Sequence, residues 1–468
     1  MPDLKLIARS ILSGTDDPHG IRKHLFPGGD VLVLLADVRS SGRSQGYVEQ
    51  TSIDVWSIRD PKNPHRLLRT RTKPGWVAEG AVLSTVKEPD SDSAMGSLLL
   101  TCVAGDYMES VDFALECYDI CLDDDTPAIP GAEPPYDMII SESWQPIPHF
   151  QEWSPDGLGA VEVSQVVRDV VVCSVLHWDR PLGDYDETAG NYNEQLNPRF
   201  PLPGFEQIYL VHLAGPTGRW LHPRYVEPFI GARAYIHQDH LYLLGRTACT
   251  YVVRDYRFST DMLLSPTCDP DTDFFDLGCP LAECESGRLP DPRVPWGSWD
   301  HEDVHFDPLH GFTILLLRDW FGEGQLVRLP LPRPVDEPTP RSTVHAFTAP
   351  IIPNNSKFTR RWLGLNHAII YGEEELGPDS GGDFLFRLSF QFDSEEPEPG
   401  LTADGSADND GALRPLIIRE DLQADVELPL MHFSDPFAFD EGSVRMCMTE
   451  RGAVDQAELF VFSLGHGP

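Results

Sequence analysis

Basic residues are scarce: 36 Lys and Arg stand against 74 Asp and Glu, a formal net charge of −38 over 468 residues. A surface this negative repels phosphate backbones, so nucleic-acid binding is disfavoured; the charge reads first as a solvated acidic surface, and a specific patch on it would suit a basic protein partner. No apolar run approaches the roughly 18 residues that a membrane helix needs, so no membrane partner is expected. At the start, MPDLKLIARSILSG, Asp3 precedes an apolar stretch too short and too interrupted for a secretory signal. The 9 cysteines are scattered and none forms a C-x-x-C. Cys173 (VVVCSVL) and Cys447 (VRMCMTE) sit inside apolar runs, where a thiol behaves as a small buried hydrophobe. Together these features point to a reducing, intracellular setting, cytoplasmic or nuclear. Neither a P-loop nor a G-x-G-x-x-G occurs, and no helix-period segment of credible length is visible.

Turn formers, by contrast, are plentiful, with 42 Pro and 38 Gly. Between them lie short apolar strands that recur. FPGGDVLVLL from Phe26, YIHQDHLYLL from Tyr235 and WLGLNHAIIY from Trp362 each pass from an aromatic residue, through a turn, into a strand. VHFDPLHGFTILLL from Val304 and FAFDEGSVRMCM from Phe437 carry a longer turn, and SLLLTCVAG from Ser97 and DVVVCSVLHW from Asp169 supply comparable strands. After each comes an alternating partner, beginning near Ser52, Phe113, Glu206, Cys249, Gln325, Asp383 and Ala457. Alternation of period 2, bounded by Gly, Pro, Asn and Asp, is the strand signature.

Seven such pairs predict an all-β chain: one β-propeller over residues 1–468, of about seven four-stranded blades with long acidic loop insertions. A lone sheet cannot bury both faces, so it stacks on its neighbours. LKLIARSIL (Leu4 to Leu12) is placed to pair inside the last blade, beside ELFVFSLG. Between blades, Asp123 to Asp137, Asp179 to Gly204, Cys268 to Gly297 and Asp393 to Gly411 are rich in Pro, Gly and acids, and 394–411 reads as a disordered loop. The Cys268 to Gly297 segment carries Phe274, Phe275 and Trp296, which makes it the first place to look for a binding surface.

His301-Glu302-Asp303-Val304-His305 satisfies the H-E-x-x-H zinc-protease pattern. That chemistry needs both histidines on one face of a helix. Here Pro308 and Gly311 follow closely, Val304 and Phe306 alternate as in a strand, and the matching Phe437 repeat has no histidine, so the pattern reads as chance. Asp269, Asp271 and Asp273 mimic a calcium loop, but Phe274 stands where the sharp turn needs Gly, and Pro280 where the bidentate Glu belongs. Asp404, Asp408 and Asp410 fall in the loop read as disordered. His177, His212, His237, His240 and His367 read as packed strand residues. The basic patches Arg69 to Trp76 and Lys357 to Trp362 read as exposed strand edges. No catalytic, cofactor-binding or metal-binding residue is assigned, and no cofactor is expected.

The phrases GIRKHLFPGGDVLVLLAD, SIDVWSIRDPKNP, VHFDPLHGFTILLL and FAFDEGSVRMCMTERG resemble the C-terminal halves of F-box proteins from mushroom-forming fungi, which are similar to degenerate WD40 propellers. The residues that carry the resemblance are Pro27-Gly28-Gly29, Trp56-Ser57 with Tyr118-Asp119, Phe306-Asp307 with Gly311, and Phe439-Asp440 with Arg445. The resemblance implies a substrate-recruiting propeller. The helical F-box that binds a Skp1-type adaptor should precede the first blade, whereas this chain begins almost at the blade, so adaptor binding is not expected of it. The expected function is a monomeric, non-enzymatic protein-interaction scaffold. The alternative is a propeller hydrolase or lactonase with a channel-bound metal.

Overall fold

The computed structural model describes residues 4–14, 21–39, 48–87, 94–106, 110–121, 139–147, 160–167, 170–176, 206–212, 217–222, 230–246, 251–259, 274–285, 303–318, 324–332, 343–347, 356–364, 367–374, 382–391, 416–426, 437–451 and 456–465. Among them every regular element is a strand. β1 (Leu4–Ser13) opens the chain. β2 (Arg22–Leu25), β3 (Val31–Arg39), β4 (Val48–Ser57) and β5 (His65–Arg71) then form a sheet in chain order. The next holds β6 (Val77–Lys87), β7 (Ala94–Asp106), β8 (Ser110–Cys121) and β9 (Ile139–Ile147). β10 (Ala160–Val167), β11 (Val170–Leu176), β12 (Glu206–His212) and β13 (Thr217–His222) follow. After them come β14 (Ile230–His237), β15 (His240–Arg246) and β16 (Tyr251–Arg257). β17 (Phe274–Asp276) returns to lie parallel to β13, and β18 (Ala282–Glu285) pairs with β16.

β19 (Asp303–Asp307), β20 (Phe312–Arg318), β21 (Gly324–Pro330) and β22 (Thr343–Phe347) make a further sheet. β23 (Ser356–Leu363), β24 (His367–Glu374), β25 (Gly382–Gln391) and β26 (Leu416–Asp421) make the next. The last consists of β27 (Ala438–Asp440), β28 (Arg445–Arg451) and β29 (Gln456–Leu464), and β1 completes it. Seven up-and-down sheets in chain order, the last finished by the chain's first strand, define the β-propeller class. No helix among the described residues is long and apolar enough to cross a membrane.

The chain divides into two compact units: Met1–Leu241 with Phe258–Gly278 and Gln423–Pro468, and Tyr242–Arg257 with Cys279–Leu422. Within the first, sheets stack face on face. Val33, Val55 and Leu68 pack with Leu98, Leu100 and Tyr118, and Leu99, Phe113 and Leu115 pack with Val171, Cys173 and Tyr209. Leu32, Leu34 and Trp56 pack with Cys447, Leu459 and Val461. Removing each such side chain from water contributes about 1.5–3 kcal/mol. The first strands of these sheets, β27, β2, β6, β10 and β14, neighbour one another in that order. In the second unit Tyr251 and Val253 pack on Leu315 and Leu329.

β1 joins β29 antiparallel in the register Leu12↔Ala457, with a bulge between Leu6 and Ala8. Leu4, Ala8 and Leu12 point inward, whereas Ile11 is 61% exposed. Its start is also pinned from the far side: the Leu4 N–H donates to the Gln423 carbonyl at 3.1 Å, and the Asp425 N–H donates to the Leu4 carbonyl at 3.1 Å.

The turns between first and second strands repeat a single hydrogen bond. A residue at the end of the third strand donates its N–H to the turn: Ile58, Phe258 and Leu331, just past their strands, to Asp30, Asp239 and Gly311, each at 2.8 Å, and Leu464, the last residue of β29, to Val444 at 3.0 Å. This bond makes the short and long turns of the sequence repeat physically equivalent.

Candidate functional site

The first strands of the first unit carry polar side chains that tie neighbouring sheets together. Arg22 of β2 donates to the Ala78 carbonyl on β6, and its other nitrogen pairs with Asp37 Oδ1 at 2.7 Å. On β10 the Gln165 amide acts like a short strand against β14. It donates to the Ile236 carbonyl at 3.0 Å and accepts the Ile236 N–H at 2.6 Å. Arg233 of β14 pairs with Glu162 Oε1 of β10 at 2.6 Å.

Bulges shape this face. In β6 the ladder runs from Ala78↔Cys102 to Gly80↔Thr101, leaving Glu79 outside it. In β10 it runs from Val163↔Cys173 to Gln165↔Val172, leaving out Ser164, whose hydroxyl lies 3.1 Å from that of Ser174. A bulge re-aims a side chain that regular pleating would place elsewhere.

Between the Arg22 and Arg233 cross-links lies a cavity of about 270 Å³. Glu79 and Glu162 stand exposed at its mouth, and Leu99, Val161 and Thr101 form a buried floor. Burial pushes the Glu79 carboxyl above its usual range, against the opposing pull of Arg22. A Cβ at Gly80 would come within 2.9 Å of Thr101 Oγ1, so a larger residue at 80 would have to displace that hydroxyl.

The residues singled out in the sequence do not gather. Val304 and His305 lie in strand β19, so the helical face that zinc chemistry requires does not form there; His301 and Glu302 lie outside the described residues. Burial pushes the His305 ring below its usual range, against the Asp307 charge. Asp307 instead organises the turn: Oδ1 accepts the His310 N–H at 3.0 Å and Oδ2 meets the ring Nδ1 at 2.7 Å. Among the described residues no group of three or more His, Cys, Asp or Glu could hold a metal. His212 is buried in β12, His237 and His240 flank the β14–β15 turn, and His367 opens β24, where burial and Arg387 push its ring down. Asp269, Asp271, Asp273, Asp404, Asp408, Asp410, His177, Trp296 and the segment 394–411 lie outside the described residues.

Two expectations change in detail. The Cys268 to Gly297 segment supplies strands as well as loop, since β17 extends one sheet and β18 completes the next. Arg69 belongs to an edge strand, but its role is more specific than blunting that edge. Together with Arg66 it faces buried Asp54, at 3.8 and 3.0 Å, and Arg66 also covers the Trp56 ring at 4.6 Å. Lys357 to Trp362 lie within β23, the first strand of its sheet. Cys173 and Cys447 are buried, and burial pushes the Cys447 thiol up to about 12.

Contrary to the expectation that nucleophile motifs are missing, the sequence holds a pentapeptide of G-x-S-x-G form, Gly42-Arg43-Ser44-Gln45-Gly46. It lies outside the described residues, between β3 and β4. These two strands pair antiparallel.

No family model matches the chain, and no curated protein matches it. Among solved structures, the Dos1 propeller aligns over 99% of this chain and 96% of its own length, at 9% identity and a TM-score of 0.36. A Trypanosoma rangeli sialidase in complex with the inhibitor DANA aligns over 98% of this chain, at 9% identity and a TM-score of 0.37. This chain spans 58% of that sialidase. A glycoside hydrolase of family 32 from Bifidobacterium adolescentis aligns over 97% of this chain and 80% of its own, at 10% identity and a TM-score of 0.28. The propeller class rests on the strand topology above, and no residue role is carried over from these proteins.

Proposed function

We propose that the chain is a non-enzymatic protein-interaction scaffold that recruits a basic partner. The observation behind this reading is how the charged groups of the first-strand face are used. Arg22 with Asp37 and Arg233 with Glu162 cross-link neighbouring strands, which supports a rigid binding surface. The charge of −38 steers basic proteins toward such a surface and speeds their encounter. The resemblance of the Pro27-Gly28-Gly29 and Phe439-Asp440 motifs to the recruiting half of fungal F-box proteins fits the same role.

The test is affinity capture with the whole chain, followed by titration of each captured protein in purified form. A reproducible one-to-one complex that weakens steeply between low and high salt is expected. Absence of any such complex, or hydrolysis of aryl glycosides or lactones that rises with added divalent metal, would overturn the reading.

A further inference from the structure

The cavity between β6, β7 and β10 has more definition than a recruiting surface in general requires. Its walls are apolar, from Ala81, Leu99, Val161 and Val163, while its mouth carries two carboxylates, Glu79 and Glu162. A third polar group belongs to it. Thr101 is only 5% exposed and lines the cavity. Its hydroxyl oxygen can accept a hydrogen bond from a ligand donor. Gly80 opposite keeps that oxygen accessible, because any Cβ there would crowd it.

We propose that this cavity takes the side chain of a lysine presented by the protein partner, and the proposal rests on the recruiting function above. The match is chemical. A lysine ammonium has three donors and no acceptor, and the cavity offers three acceptor groups, the carboxylates of Glu79 and Glu162 and the hydroxyl of Thr101. The four-carbon stem needs an apolar sleeve, which Leu99, Val161 and Val163 supply. About 270 Å³ leaves room for that side chain and a few waters. Arg22 and Arg233 do not neutralise the site. Counting Asp37, Glu79 and Glu162 against these two arginines leaves one negative charge for the incoming cation. Arginine suits the site less well, because a planar five-donor fork is not matched by three separated acceptors.

The probe is a terminally capped tetralysine peptide titrated into the full chain by calorimetry, beside tetra-arginine and Nε-acetylated tetralysine. Binding of tetralysine is expected, weakened at least about 10-fold by acetylation and by the Glu79→Gln/Glu162→Gln pair. Ala81→Met fills the sleeve without changing charge and should weaken binding comparably, whereas Glu283→Gln, an exposed acid on β18, should leave it unchanged. A tetralysine affinity indifferent to the cavity variants, or lowered equally by Glu283→Gln, would mean diffuse attraction to an acidic chain and would overturn the pocket, as would the absence of binding. A captured partner that binds the cavity variants as tightly as the native chain removes the pocket and leaves the scaffold function standing. Loss of every partner removes both.

Discussion

Arg445 on β28 reaches back 415 positions to Asp30, its Nη1 lying 2.7 Å from the carboxylate and 3.0 Å from the Gly29 carbonyl. The last sheet thereby clasps the first inter-strand turn. Gly29 adopts φ +70°, and a Cβ there would lie 2.0 Å from Ser443 Oγ, so the turn needs glycine both for its conformation and for the close approach. Both partners of the ion pair are partly exposed, which limits its worth. Arg445→Ala is expected to cost about 1 kcal/mol, and Gly29→Ala about 2 kcal/mol or more, since backbone strain adds to the clash. Urea unfolding midpoints check the order, and an equal or smaller effect at Gly29 would contradict the clasp.

β1 tests whether completion of the last sheet matters energetically. Leu12 is fully buried beside Leu459 and Val461, whereas its neighbour Ile11 is 61% exposed. Leu12→Ala should cost about 2–4 kcal/mol through lost burial and a residual cavity. Ile11→Ala should stay within about 0.5 kcal/mol. Similar losses at both positions would mean that β1 is not packed as described.

The seven sequence pairs turn out to be the central hairpin of each sheet, β3–β4, β7–β8, β11–β12, β15–β16, β20–β21, β24–β25 and β28–β29. Central strands are covered on both faces, so VLVLL and VVVCSVL read as continuous apolar runs. First strands escape that logic. RKHL of β2 is short and mostly polar, and the β6 and β10 bulges shift the alternation partway along. Three-residue β17 has too few positions for any period to show. β1 was legible because its inward residues, Leu4, Ala8 and Leu12, keep the spacing of a half-buried strand apart from one bulge. The cavity residues gave no signal. Glu79 leaves the ladder, and Thr101 and Glu162 sit on different sheets, so only the stacking of those sheets brings them to one place.

Val444 is the strained member of the repeated turn. It holds φ +56°, where the equivalent Gly311 holds +78°. A β-branched residue in this region is a genuine outlier that costs about 1–3 kcal/mol. Glycine gives part of that back by loosening the unfolded chain. Val444→Gly is therefore expected to stabilise by about 0.5–1 kcal/mol, and Gly311→Val to destabilise by more than that. Thermal unfolding of the pair decides it, and a destabilised Val444→Gly would show that side-chain packing at 444 outweighs the strain.

Acid should act on the β19–β20 hairpin in two separate windows. Burial keeps the His305 pKa below the unfolded value, despite Asp307 nearby, so the folded chain binds fewer protons there as the ring titrates. The contribution is complete above about pH 6.5 and is lost as pH falls through that value, levelling off below the folded pKa. Asp307 behaves differently. Burial raises its carboxyl, but the His310 backbone and ring outweigh this and leave it below 3.8. Its contribution persists through the His305 window and disappears only as pH drops below about 4. His305→Gln should flatten the stability loss between about pH 7 and pH 5, whereas Asp307→Asn should flatten the lower transition and, by removing the charge that opposes burial at His305, deepen the upper one. Denaturant midpoints measured across pH for both variants separate the two. A His305→Gln profile parallel to the native one down to pH 5 would mean that burial does not lower the pKa of the ring.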